Sequence, residues 1–167
     1  MRKITHFVGS WQLVGSTHIN SQVKFYGNTP DPIGVSNWIN GDSNELADEV
    51  SPTEGLVLTI TENAKFSEDK TGNPKTIWYD LEGVQSDVEP FSGWVSLLRS
   101  KIYLMADGVP DWGNTPDAKK LRYNDGDTKI ADTVEVDRKK QRLIRCMNIV
   151  TDDLYLDRII LVYKPAG

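Results

Sequence analysis

Scarcity narrows the chemistry of this 167-residue chain before any motif is read. A single cysteine, Cys146, cannot form an intrachain disulfide, and a reducing compartment is the natural setting for such a chain. The only two histidines, His6 and His18, have no partner at His-x-x-x-His or Cys-x-x-Cys spacing, so no metal and no cofactor is expected. No stretch approaches the ~18 consecutive apolar residues of a membrane span, and the opening MRKITHFVG has no apolar signal core. A cytoplasmic protein with no membrane partner is therefore expected. Basic residues number 19 against 24 acidic ones, a net charge of −5, with no sustained basic stripe. Nucleic acid is not an expected partner. There is no glycine-rich phosphate loop, no Gly-x-Ser-x-Gly elbow and no convincing amphipathic helical period.

What the chain does have is alternation. GLVLTITEN sets Leu56, Leu58 and Ile60 on one face of a strand. KTIWYDLEGV and DTKIADTVEVD follow turn clusters at Gly72-Asn73-Pro74 and Asn124-Asp125-Gly126, and GWVSLLRSKIYLMADG reads as one or two strands broken near Arg99-Ser100. RLIRCMNIV and LYLDRIILVYK are separated by Thr151-Asp152-Asp153, short enough for a hairpin. About eight short strands in a chain of single-domain size predict one all-β domain over 1–167, a closed barrel or a sandwich. Residues 20–54 lose the strand pattern. Their Trp38, Ile33, Val35 and Ile39 predict a long first loop folded back as a lid, and NELADEV within it predicts a turn or two of helix.

FVGSWQLVGS resembles the Gly-x-Trp signature that opens the first strand in lipocalins and related calycins, and LYLDRIILVYK is similar to their closing, arginine-bearing strand. The resemblance implies an antiparallel up-and-down β-barrel of about eight strands, Trp11 across its closed end and Arg158 stacked over that ring, with Gly9 allowing the close approach. Eight strands enclose room for one small molecule. The expected partner is a hydrophobic or aromatic small molecule, and the chain itself is expected to be a monomer or homodimer.

Three functions follow. The first is a cofactor-independent isomerase or cyclase of specialised metabolism that folds its substrate inside the barrel by orientation and a few hydrogen bonds. The second is a non-catalytic carrier or sensor. The third, a structural or protein-interaction β-sandwich, would be preferred if side chains filled the interior. Tyr79, Arg145, Tyr155 and Asp157 are the catalytic candidates, as ionisable groups on strands. Trp38, Trp78, Trp94, Met147 and Asn148 are the ligand-binding candidates, because aromatic walls with a few polar groups suit a flat organic ligand. On the strand 142–150, Arg145 and Met147 share one face and Cys146 and Asn148 the other, and neither face is purely apolar. Cys146 reads as inert packing, and His18 as a surface histidine or, at the outgoing end of the first strand, an acid or base within reach of the pocket mouth.

Overall fold

The computed structural model describes residues 4–72, 74, 77–79, 85–87, 90–98, 101–107 and 120–166. A 3-10 turn, Ile4–His6, leads into β1 (Gly9–Gln22). The segment after it carries β2 (Phe25–Tyr26), β3 (Thr29–Pro30), α1 (Pro32–Asn40), a second 3-10 turn (Asn44–Glu49) and β4 (Ser51–Pro52). There follow β5 (Leu56–Ile60), β6 (Lys65–Lys70), β7 (Ile77–Tyr79), β8 (Gln85–Asp87), β9 (Ser92–Leu98) and β10 (Lys101–Ala106). The chain ends with β11 (Leu121–Asn124), β12 (Thr128–Asp137), β13 (Arg142–Thr151) and β14 (Tyr155–Pro165). All the strand pairs are antiparallel, in the order β10-β9-β6-β5-β1-β14-β13-β12, and β10 pairs back to β12 through Ile102 and Val134. That pairing closes an eight-stranded antiparallel barrel. Closure leaves no unpaired edge between the first and last barrel strands.

The alternation seen in the sequence sets the inner face. Leu13, Leu56, Leu58, Ile60, Ile102, Leu104, Leu143, Met147, Ile159 and Leu161 form one buried cluster inside. A bulge between Leu13 and Gly15 resets the phase of β1, so that Ser16 and His18 follow Leu13 onto the inner face, opposite Leu161 and Ile159. The β13–β14 hairpin turns through Asp152 (φ 56°) and Asp153 (φ 52°), left-handed positions that aspartate tolerates better than most residues.

β13 is buried at every position, and β14 from Leu156 to Tyr163. Their outer faces are covered by the segment after β1. Ile39 and Trp38 of α1 pack with Val150, Leu156, Ala131 and Leu121, while Ala47 and Leu46 pack with Ile144, Cys146, Ile160 and Val162. The expected lid is thus a buttress on the outer wall. The helix within it has local causes: Asp31 accepts a hydrogen bond from Ile33 N at 3.0 Å, and Pro32 opens the first turn. At nine residues it is too short to leave a helical period in the sequence.

The expected stacking of Arg158 on Trp11 is replaced by another pair. Trp11 lies opposite Pro165, whereas Arg158 lies opposite Ile19, roughly 25 Å farther along β1 at ~3.3 Å per residue. Trp11 Nε1 donates instead to Phe7 O at 2.8 Å, and Phe7, buried beside it, closes that end of the barrel. Ala166 N donates to Ser10 O at 2.9 Å, so the termini are tied by backbone and not by the guanidinium. Gly9 is required for its φ of 133°, not for close approach, since a Cβ there would meet nothing within 4 Å.

Arg158 faces outward and is 6% exposed, with its guanidinium centre 4.0 Å from the Trp38 ring centroid. It donates to Asn148 Oδ1 (2.6 Å), Ser43 Oγ (3.0 Å) and Trp38 O (3.0 Å). Asn148 in turn donates to Ile39 O and Gly41 O, at 3.1 and 2.8 Å. A Cβ on Gly41 would stand 2.7 Å from Arg158 Nη2, so the bare backbone is what lets the guanidinium in. Arg158→Met strands Asn148, Ser43 and the Trp38 carbonyl without their donor. It should lower the unfolding free energy by about 2–4 kcal/mol, read from urea denaturation, and should expose residues 32–50 to limited proteolysis first.

Candidate functional site

Inside the barrel the inner-face rule places ionisable side chains among aliphatic ones. Arg145, between Leu143 and Met147 on β13, has no exposed surface. Its guanidinium grips Asp132 of β12 with two bonds, Nε to Oδ1 at 2.9 Å and Nη2 to Oδ2 at 2.7 Å. Nη1 donates to Glu68 Oε1 of β6 and, at 3.2 Å, to the Tyr163 hydroxyl of β14. Arg122 of β11 joins them, its Nε 3.1 Å from Asp132 Oδ2 and its guanidinium 4.3 Å from the centroid of the Phe91 ring. Phe91 packs edge-on to Phe66 at 4.9 Å.

Burial acts on Glu68, Arg122, Tyr163 and Arg145. It pushes the Glu68 carboxyl upward, against the opposing pull of Arg145, and it lowers Arg122. It raises the Tyr163 phenol, which stays protonated. For Arg145 burial works downward, but Asp132 and Glu68 outweigh it and hold the guanidinium charged. Two polar atoms of the cluster have no hydrogen-bond partner: Glu68 Oε2 and Arg122 Nε. Arg122 Nε is close to Asp132 but out of line for a hydrogen bond.

A second polar pair stands toward the other end of the inner wall from Phe7. His18 Nε2 and Asp157 Oδ1 are 2.6 Å apart, with the imidazole side chain about one-third exposed and the carboxylate nearly buried. Asp157 O accepts from Trp38 Nε1 at 2.9 Å, which links this pair through the wall to the buttress. A histidine oriented by a carboxylate and reachable from solvent has the form of a general base.

The residues singled out from sequence separate into three groups. Arg145, Met147 and Asp157 stand on the inner faces of β13 and β14. Asn148 and Trp38 belong to the outer wall, bound to Arg158, and Trp94 is 39% exposed on β9, so these three do not line the interior. Tyr155 is half-buried at the start of β14, beside the hairpin turn. Trp78 and Tyr79 lie on β7, opposite Ser86 and Gln85; their side chains, like Trp112, fall outside the described residues. Cys146 is buried on the outer wall against the buttress cluster.

Glu68, Asp132, Arg122 and Tyr163 were not among the sequence candidates. The signal existed for two of them: Asp132 interrupts the inward run Ile130-Val134, and Glu68 follows Phe66 by two positions. The structure also has a groove of about 840 Å³ where the chain crosses from β4 to β5, lined by Gln12, Val14, Pro52, Glu54, Val57 and Thr71 among others. No member of the charged cluster lines it. Among the described residues no three His, Cys, Asp or Glu side chains gather as metal ligands.

Because the Glu68 carboxyl is raised, the native state holds its proton to higher pH than the unfolded chain does. Its contribution to stability is complete below the ordinary glutamate range and is lost as pH rises through the raised native value. Unfolding free energies of the wild type and Glu68→Gln should therefore diverge across that window, the wild type losing stability relative to the variant as pH rises. A difference that stays flat with pH would contradict the raised carboxyl.

No protein-family model matches the sequence, and no curated protein does. Among solved structures the chain is similar to zebrafish ileal bile acid-binding protein complexed with cholic acid. That similarity spans 96% of this chain and 99% of the other, at 14% identity and a TM-score of 0.36. A likeness this loose assigns neither a ligand nor a site. No helix among the described residues is long and apolar enough to cross a membrane.

Proposed function

We propose that the chain is a small-molecule-binding barrel, a carrier or sensor that holds one hydrophobic molecule with a polar end in its interior. The observation that carries this reading is the charged cluster of Arg145, Asp132, Glu68 and Arg122, buried among aliphatic side chains with a carboxylate oxygen unsatisfied. An interior selected for stability alone gains nothing from such a cluster, since well-packed apolar replacements are often neutral or stabilising by about 1–4 kcal/mol. Unsatisfied buried polar atoms are rare in folded proteins. The carrier reading is preferred to catalysis because Arg145, the most buried catalytic candidate, already has its donors engaged by two carboxylates and a hydroxyl. One buried cysteine suits a cytoplasmic setting.

The pair His18 and Asp157 supports a second reading, the cofactor-independent isomerase or cyclase, with His18 as the proton-transferring group and Asp157 fixing its tautomer. Under that reading His18→Gln abolishes turnover of a retained molecule but leaves its retention intact.

The barrel reading is checked by titration with Nile red, a neutral apolar fluorophore. One probe per chain should bind with blue-shifted emission, and Met147→Trp, which enlarges an inner-face side chain, should weaken binding at least tenfold. Unchanged binding by that variant would place the probe outside the barrel.

A further inference from the structure

We propose that Trp38 is the positioning residue of the His18–Asp157 pair, so that helix α1, on the outside of the barrel, controls an acid or base on the inside. The inference rests on the second reading above, in which His18 transfers the proton, and adds to it the regulation of that site.

Trp38 grips two consecutive residues of β14 that face opposite ways. Its indole Nε1 donates to Asp157 O at 2.9 Å. Its ring lies 4.0 Å from the Arg158 guanidinium, and its own carbonyl accepts from Arg158 Nη2 at 3.0 Å. Arg158 is fixed in turn by Asn148 and Ser43. The indole therefore has a set height on the wall, and the bond from Nε1 sets the tilt of the peptide between Asp157 and Arg158. On the inner side Asp157 Oδ1 lies 2.6 Å from His18 Nε2. Hydrogen bonds weaken steeply out of line, so a change of that tilt is felt at the imidazole.

The wall is thin at this point. β1 pairs with β14 as far as Gln22 and Tyr155, but its other edge has strand partners among the described residues only at 9–12, in β5, and at 15–16, in β4. His18, Asn20, Ser21 and Gln22 are exposed. Asp157 is the third residue of β14, just past the hairpin turn, and residues beside turns open before the middle of a sheet does. A clamp from the outer layer supplies there the restraint that a neighbouring strand supplies elsewhere. What the clamp protects is a tautomer. An ionised carboxylate only accepts, so Nε2 carries the proton and Nδ1 keeps the lone pair that can take up another. Without that carboxylate a neutral imidazole divides between its two tautomers, and Nδ1 is blocked in one of them.

The test is the side-chain nitrogen NMR spectrum of His18 in the intact chain at about pH 9, above the ordinary imidazole range, in a His6→Gln parent that removes the other histidine. In the parent, Nδ1 and Nε2 should be separated as in a single Nε2–H tautomer, and Asp157→Ala should draw the two resonances together. Replacing Trp38 by its isostere 3-benzothienylalanine exchanges the N–H for sulfur and keeps the ring beside Arg158. That change should move both resonances at least about one-third of the way from the parent toward their Asp157→Ala positions. Lys120→Met, which takes the Lys120 Nζ bond from Asn40 of α1 but leaves the indole alone, should leave them in place. A smaller shift in the isostere overturns the positioning role and leaves the second reading standing, as does a shift in Lys120→Met as large as the isostere's, since any loosening of the helix would then suffice. A parent that already shows the Asp157→Ala positions has no pair to position, and overturns both.

Discussion

The rest of the molecule depends on the burial of hairpin β13–β14 from both sides. A β-strand sends successive side chains to opposite faces, so a hairpin buried on both must find two cores at once. One is the barrel interior, where Met147, Ile159 and Leu161 pack. The other is the layer beneath α1 and the Asn44–Glu49 turn, where Ile144, Cys146, Ile160 and Val162 pack. A guanidinium is buried on each side, Arg145 inward and Arg158 outward. The two do different work. Arg158 bonds uncharged groups, an amide oxygen, a hydroxyl and a carbonyl, and so ties the buttress to the wall. Arg145 bonds carboxylates and so assembles a polar centre within the barrel.

The two polar centres of the inner wall also differ in kind. The Arg145 cluster is shielded from water, and in that low dielectric the paired charges hold one another firmly while any unpaired atom is costly. His18 and Asp157 sit where the imidazole is partly exposed and the carboxylate nearly buried.

Much of the fold was legible because strand periodicity is local. The inner face of β5, the hairpin between β13 and β14, and the break between β9 and β10 all follow from alternation and turn residues. The buttress was legible in part: NELADEV holds the expected turn at Asn44–Glu49, but the helix before it left no signal. Its helix is nine residues long and rich in Asn, Gly and Ser, and what stabilises it is packing against the barrel wall together with a cap from Asp31. One clue to the second layer was in the sequence: the near-continuous apolar run of RLIRCMNIV and RIILVY is what a strand buried on both faces requires.

The sequence by itself determined the class of the fold and which residues share a strand face, because side-chain alternation has a fixed period of two. It could not decide which face is inside, since both faces of the closing hairpin are apolar and each carries an arginine. Tertiary structure decided that, and with it every partner of the site. Glu68 and Arg145 are 77 positions apart and meet only because the sheet closes on itself. The bulge at Val14 resets the register that carries His18 to Asp157. Arg158 finds Trp38 and not Trp11 because strand pairing fixes its height on the wall, a distance no local pattern encodes.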